Sequence, residues 1–351
     1  MAATTNSLSD RARALHAESV VVDLHADTAS LMRMGYDFLA EHRPPLPGSA
    51  FGFHVDQPRM LRGGQTAQVF GLVTFPIRKK GLFRSALHQI DLVQQAATRS
   101  NGGLTFVTEA EQIEQAKITG TTAALCGLEG VHALEGHRDN LITLATHGLR
   151  LMGLSHFSAN EAAHPAKGWR SSRHAGLTEF GADLVRLCNE LGVLVDLAHI
   201  NRPGFFEATR LSLDPVVVSH TGVCGAHDMW RNIDDEQIRA VADTGGCIGI
   251  IYSRHFLGGS TVEALADHIV HCYDIGGEDC PALGSDFDGL IVPPRDLPDA
   301  AHLPRITEAL VQRGLTDRVI TKIMGGNVLR VLRSVPTKGY RPDETKTPIE
   351  V

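Results

Sequence analysis

Val20-Val21-Val22-Asp23-Leu24-His25-Ala26-Asp27 is an apolar run that stops on a His-x-Asp pair. Alternate residues of a strand point to the same face, so His25 and Asp27 can leave one strand tip together and reach one cation. Comparable apolar runs farther along end in Glu129, His199, His220 and Asp286. Strands that stop repeatedly on metal-ligand residues imply a sheet whose strands share one direction and gather their chemistry at one end.

Counting outward from the first run gives eight candidate strands, at 20–27, 66–75, 122–129, 149–155, 192–199, 215–220, 246–252 and 281–286. Most are rich in Val, Ile and Leu without polar alternation, as parallel strands covered on both faces require. Amphipathic segments such as Ser85–Arg99, Glu109–Thr119, Leu141–His147, Glu179–Leu191, Asp234–Asp243 and Thr261–Tyr273 lie between them. Eight alternating β and α units point to an α/β chain folded as one (β/α)8 TIM barrel of the metal-dependent hydrolase type, over residues 1–335. A doubly wound open sheet is the rival, and a glycine-rich phosphate loop after the first strand would favour it. None is present. Residues 28–62, with Pro44-Pro45-Leu46-Pro47-Gly48, read as a loop insertion where a barrel would place a substrate cover. Residues 336–351 read as a polar C-terminal tail.

Composition narrows the function classes. The chain has 351 residues, 43% of them hydrophobic, enough for a large core, and 21% charged, ordinary for a soluble globular protein. A formal net charge of −7 without a basic run argues against nucleic acid and against an anionic membrane surface, and favours a small-molecule partner. No stretch has the apolar length of a membrane span, and Met1-Ala2-Ala3-Thr4-Thr5-Asn6-Ser7 lacks the pattern of a signal peptide, so a cytoplasmic location is expected. The six cysteines are scattered without CxxC pairs, which points away from a disulfide scaffold and from a thiolate zinc site. Histidine is the unusual constituent, with 18 residues.

In a barrel, side chains at the carboxyl ends of the strands converge on one mouth, so His25, Asp27, Glu129, His199 and His220 are expected around one point. Imidazole and carboxylate together suit Zn2+ or a similar divalent ion. Five ligands exceed the needs of one catalytic zinc, so two metals are the economical reading, with Glu129, central in the set, as the bridge. Taken singly, each residue has an ordinary structural role open to it: Asp27 as a helix N-cap, Glu129 as partner of an arginine, His220 before Thr221-Gly222 as a turn residue. The set is stronger than its members.

At these residues the sequence resembles the renal (membrane) dipeptidase family, peptidase family M19, in its soluble bacterial form. The resemblance is carried in order by Asp23-Leu24-His25-Ala26-Asp27, Asp56-Gln57-Pro58-Arg59-Met60, Leu128-Glu129-Gly130, Gly148-Leu149-Arg150, Leu154-Ser155-His156 and Gly176-Leu177-Thr178-Glu179-Phe180-Gly181. It continues through Val195-Asp196-Leu197-Ala198-His199, Val218-Ser219-His220, Arg231-Asn232, Gly284-Ser285-Asp286-Phe287-Asp288-Gly289 and Gly326-Asn327-Val328-Leu329-Arg330-Val331, covering nearly the whole chain. The chain departs from the family pattern at Val131, Ala145 and Leu151, none of them a candidate ligand, and the stretch His227–Trp230 is longer than in mammalian members.

The resemblance implies a (β/α)8 barrel with two Zn2+ per chain, His25 and Asp27 on one ion, His199 and His220 on the other, and Glu129 between them. It implies a dipeptidase acting through hydroxide held by both ions, with Asp286 as acid/base and Asp288 in reserve. His156 would contact the scissile carbonyl oxygen and Arg231 the substrate carboxylate. It also implies a dipeptide substrate, tolerance of a D-residue at its C-terminal position, β-lactam hydrolysis in some members, and a homodimer. Two other readings stand beside it. One is a different amidohydrolase-type barrel acting on N-acyl amino acids or lactones, although those barrels often begin His-x-His and bridge through lysine. The other is a non-catalytic barrel, whose signature would be lost ligands.

Overall fold

The computed structural model describes residues 8–43, 49–50, 52–75 and 80–339. Pro44 to Gly48, part of the expected insertion, lie outside them. Nine strands, all paired in parallel, make one sheet: β1 (Val22–Ala26), β2 (Ala67–Val73), β3 (Leu104–Phe106), β4 (Thr122–Glu129), β5 (Leu149–Gly153), β6 (Leu194–Asp196), β7 (Val217–Thr221), β8 (Cys247–Ile250) and β9 (Pro281–Leu283). The order runs β2-β1-β9-β8-β7-β6-β5-β4, and seven residue pairs from Ala67↔Ala123 to Val73↔Glu129 join β2 to β4 and close the ring. Each of the eight expected runs holds one strand of that closed barrel.

The ninth strand was not anticipated. Short β3 pairs with β4 through Leu104↔Thr122 to Phe106↔Ala124, and β5 takes up β4 from Cys126 onward. Two strands therefore share the length of one long neighbour. The doubly wound alternative fails on the β2–β4 closure.

Helices alternate with the strands and cap as their sequences direct. The helix at Glu179–Leu191 begins behind Thr178, whose side chain accepts from the Gly181 amide, and ends on Gly192 in the left-handed region. Asp234 and Gln237 form a capping box ahead of Asp235–Asp243. The segment after β1 is not a bare loop: it carries short helices at Thr28–Met32 and Gln57–Arg62. No helix among the described residues is long and apolar enough to cross a membrane.

The two ends of the barrel differ. At the amino ends of the strands, Val22, Ala67, Ala123, Leu194, Val217 and Cys247 pack in one apolar cluster with Val328 and Leu332 of the last helix, Asn327–Ser334, and with Val335. Arg150 of β5 is fully buried near that base, donating Nε to Thr108 O at 2.7 Å, Nη2 to Val335 O at 2.6 Å and Nη1 to Gly192 O. The chain then runs on through Lys338, whose amide donates to Leu191 O at 3.0 Å, so the start of the tail is docked on the barrel.

Candidate metal centre

The carboxyl ends of the strands carry the polar side chains. Glu129 closes β4, and its Oε1 lies 2.9 Å from His199 Nε2, 3.5 Å from His220 Nε2 and 3.7 Å from His25 Nε2. His25 Nε2 is 3.0 Å from Asp27 Oδ1, and the Nε2 atoms of His199 and His220 are 2.9 Å apart. Three overlapping groups have ligand atoms within 4.8 Å of one another: His25, Asp27 and Glu129; Glu129, His199 and His220; and His25, His220 and Asp286. All five expected ligands thus meet, and Asp286 joins them.

The ordinary structural roles do not account for this gathering. Asp27 does sit at the N-cap position of Thr28–Met32, but its side chain makes no capping hydrogen bond there. No arginine pairs with Glu129 among the described residues, and its Oε2 is buried without a hydrogen-bond partner. Gly71 of β2 leaves the room: a Cβ there would stand 2.7 Å from His25 Cε1 and 2.9 Å from Asp27 Oδ1.

The electrostatics fit a cation. Burial, then the Arg231 charge, holds the His199 imidazole well below its ordinary pKa, and burial with His25 and Arg231 does the same to His220. Both rings therefore present lone pairs. Burial works against a charge on His25 as well, but Glu129, Asp27 and Asp286 outweigh it and push the ring up to about 10. Burial and the neighbouring Asp27 carboxylate raise Asp286 well above the usual carboxylate range. Lone pairs facing one another on one side and crowded carboxylates on the other are stabilised together by divalent positive charge. Nitrogen and oxygen donors of this kind suit zinc and its neighbours.

Several ligands leave the strands before they reach the centre. β6 ends at Asp196 and β9 at Leu283, so His199 and Asp286 stand on turns, both in the left-handed region with φ of 64° and 60°. Such conformations are costly for residues other than glycine and cluster at functional sites. Asp288, the reserve for the acid/base role, is also left-handed but does not join the cluster. Instead its carboxylate accepts from Thr28 Oγ1 at 2.7 Å and from the His54 amide at 2.8 Å. The strand alternation that would align the two aspartates has already ended, and Asp288 pins the segment after β1 to the mouth.

His156 Nε2 lies 3.6 Å from Glu129 Oε2, beside the cluster. Arg231 is buried next to it, Nη2 donating to His220 O at 2.8 Å and Nη1 reaching Thr221 Oγ1 at 3.5 Å. No carboxylate of the described residues forms an ion pair with it. Burial lowers its pKa, and the nearest acids, Asp286, Glu129 and Asp196, offset that only at a distance. It lines a cavity of about 380 Å3 together with His199, Asn201 and Trp230.

Two residues with no role assigned from sequence support the centre from below. Asp23 Oδ1 accepts from the amides of His25 at 3.2 Å and Ser285 at 2.8 Å, and Asp196 Oδ1 accepts from Ala198 at 3.0 Å and Ser219 at 2.8 Å. Each ties the backbone beside one ligand to the neighbouring strand. Their signal was visible: an acid interrupting an otherwise apolar strand needs a buried partner.

The family model for membrane dipeptidases, peptidase family M19, matches residues 9–343. Dipeptidase tcpJ of Claviceps purpurea (strain 20.1) is 30% identical over 326 residues, 89% of this chain and 76% of that protein. Among solved structures, an amidohydrolase from Pseudomonas aeruginosa aligns with a TM-score of 0.76 at 27% identity, covering 92% of this chain and 98% of its own. A metallo peptidase from Rhodobacter sphaeroides, liganded with a phosphinate mimic of the dipeptide L-Ala-D-Ala, shares the fold at a TM-score of 0.82 and 24% identity, over 91% of this chain and 100% of its own.

Proposed function

The chain belongs to the membrane dipeptidase family, peptidase family M19, and on that premise we propose that it is a zinc-dependent dipeptidase. In this reading His25 and Asp27 would hold one ion, His199 and His220 would hold a second, and Glu129 would be the ligand common to both. The observation that carries it is the convergence of these five side chains and Asp286 at the barrel mouth, in three overlapping groups whose ligand atoms lie within 4.8 Å of one another. Ions bound there would supply Lewis-acid polarisation of the scissile carbonyl and an activated water.

The protein's own groups do the rest. Asp286, in reach of His25 and His220, takes the proton of the attacking water and returns it to the leaving amine, the two-way transfer that peptide hydrolysis needs. His156 Nε2, at the rim of the cluster, donates to the carbonyl oxygen as negative charge develops on it. Arg231 is a buried guanidinium without an acidic partner, and the free carboxylate of a substrate's C-terminal residue supplies one. That requirement selects short peptides with a terminus in reach. Zinc as the resident metal rests on the donor set, and a homodimer rests on the family resemblance alone.

Metal analysis of the purified protein with a dipeptide panel tests this. About two metals per chain are expected, and Asp286→Asn should lower kcat by about 10²–10⁴ while keeping the metals. Arg231→Ala should raise KM for free dipeptides far more than for their amides. A folded chain that binds no metal and turns over no dipeptide overturns the proposal.

A further inference from the structure

A second cavity opens on the side of the centre away from Arg231. It measures about 740 Å3 and reaches Asp27 and His156, whereas the Arg231 cavity reaches His199, and the two share no lining residue. A dipeptide whose carboxylate sits on Arg231 and whose scissile bond lies over the ligand cluster therefore sends its N-terminal residue toward the larger cavity. Resting on the dipeptidase reading, we propose that this cavity is the subsite for the N-terminal side chain and that it selects large apolar, above all aromatic, groups.

Its walls are the first argument. Ten large apolar side chains stand exposed among the described residues, and four of them, Met34 at 76%, Phe75 at 55%, Phe157 at 49% and Leu290 at 63%, line this one cavity. Solvent-exposed apolar surface gathered in one concavity beside reactive groups marks a ligand site. Phe157 ties the wall to the centre, its ring 4.6 Å from that of His156 and 4.9 Å from that of His199. Val73, also in the wall, is the register partner of Glu129.

The backbone is the second argument. Phe53 and Leu290 both line the cavity with φ of 60°, a conformation that L-residues with such side chains rarely adopt. One comes from the segment after β1 and the other from the turn after β9, so separate parts of the chain accept strain to present apolar groups to the same space.

Charge is the third. Among the described residues the lining contains no lysine, arginine or glutamate. Asp288 is engaged by Thr28 and His54, and His42 Nε2 is hydrogen-bonded to Asp37 O at 2.7 Å. Neither of these two side chains is therefore open to a charged group of a substrate. A volume of this order exceeds what alanine fills and accommodates an aromatic ring.

The metal-loaded protein is assayed with Ala-Ala, Leu-Ala, Phe-Ala, Trp-Ala, Lys-Ala and Glu-Ala, and with the reversed pairs Ala-Leu and Ala-Phe. From Ala-Ala to Phe-Ala, kcat/KM should rise about ten- to hundred-fold, mainly through KM, the range expected for burying one aromatic side chain. Lys-Ala and Glu-Ala should not exceed Ala-Ala, and the reversed pairs should rise far less than their counterparts. Leu290→Asn is a safe variant, since asparagine tolerates the left-handed backbone better than leucine. With Met34→Glu, at an exposed position, it should collapse the Phe-Ala to Ala-Ala ratio toward one. A flat N-terminal series, a preference that follows the C-terminal residue, or an unchanged ratio in both variants overturns this inference and leaves the dipeptidase reading standing. A dimer that Met34→Glu dissociates without altering the ratio would assign the surface to self-association and overturns it too. If no dipeptide is turned over, both readings fall together.

Discussion

The base of the barrel and its mouth each bury ionisable groups, and they treat them oppositely. At the base, Arg150 spreads its guanidinium over three carbonyl oxygens from the ends of separate segments. At the mouth, Glu129, Asp27 and Asp286 crowd against three imidazoles, and among the described residues Glu129 Oε2 has no hydrogen bond and Arg231 no ion-pair partner. At the base the fold itself supplies the partners of Arg150. The mouth holds groups whose partners must come from outside, which is the mark of a site built for ligands at some cost to the fold.

The largest effect that separates the two ends comes from Glu129→Gln. Residues that merely orient a metal ligand are worth about 10- to 100-fold in metal affinity, so removing the central ligand should cost more than about 100-fold, and dipeptide turnover should vanish with the metal. Glu129→Gln should also lower the melting temperature of the metal-free protein, because burial is outweighed by His156, His25 and His199, which hold the Glu129 carboxyl well below the usual carboxylate range, so the fold favours its charge. Metal titration beside a thermal scan checks both halves. A variant that keeps its metal affinity and its turnover would show that the mouth does not depend on Glu129 for its ligands and would break the contrast.

Arg150→Met inverts the pattern. Hydrogen bonds to a charged group contribute about 1.5–3 kcal/mol each, and three carbonyls would lose their donor, so a loss of about 3 kcal/mol or more is expected in urea unfolding. Molecules that remain folded should keep full metal content and unchanged kcat/KM, since Arg150 lies at the opposite end from the ligands.

His268 gives the comparison a pH dependence. Its Nδ1 accepts from the Val223 amide at 2.9 Å, just past β7, at the start of the segment that leads to Arg231. Burial, against the Leu257 carbonyl and with His227 and His271 adding to it, lowers the ring's pKa to about 4. The folded state thus prefers neutral His268. Its contribution is complete above the unfolded value of 6.5 and is lost as pH falls from 6.5 toward 4, by about 3 kcal/mol. Unfolding measured at stepped pH should show that slope in the wild type and a shallower one in His268→Asn. Equal slopes would remove His268 as the cause.

Much of this was legible because chemistry and position agreed. Apolar runs stopping on His25, Glu129 and His220 gave both the strands and the ligands, since a parallel barrel exposes the carboxyl ends of its strands. What the sequence withheld depended on residues far apart in it. β3 is three residues long and exists because the start of β4 has a free edge. The family resemblance ranked Asp286 above Asp288, but strand alternation alone would align the two, and the left-handed backbone that parts them follows from where β9 stops. The apolar cavity had no signal at all. Met34, Phe75, Phe157 and Leu290 lie in four separate connections, and only the closed barrel brings them to one place.

The smallest expected effect sharpens the base itself. Arg333, in the last helix, pairs with Glu111 at 3.2 Å and with Glu114, bridging to the helix Ala110–Thr119, much as Arg150 bridges segments a short way off. Its side chain is 43% exposed and those of its partners 67% and 40%, so water and salt screen the charges and the long side chains remain mobile. Arg333→Ala should therefore cost less than about 1 kcal/mol and nothing measurable in 1 M salt, whereas the loss in Arg150→Met should persist there. The same residue type at the same end of the barrel then differs because one buried guanidinium donates to three carbonyls inside the fold and the other replaces contacts that water can supply.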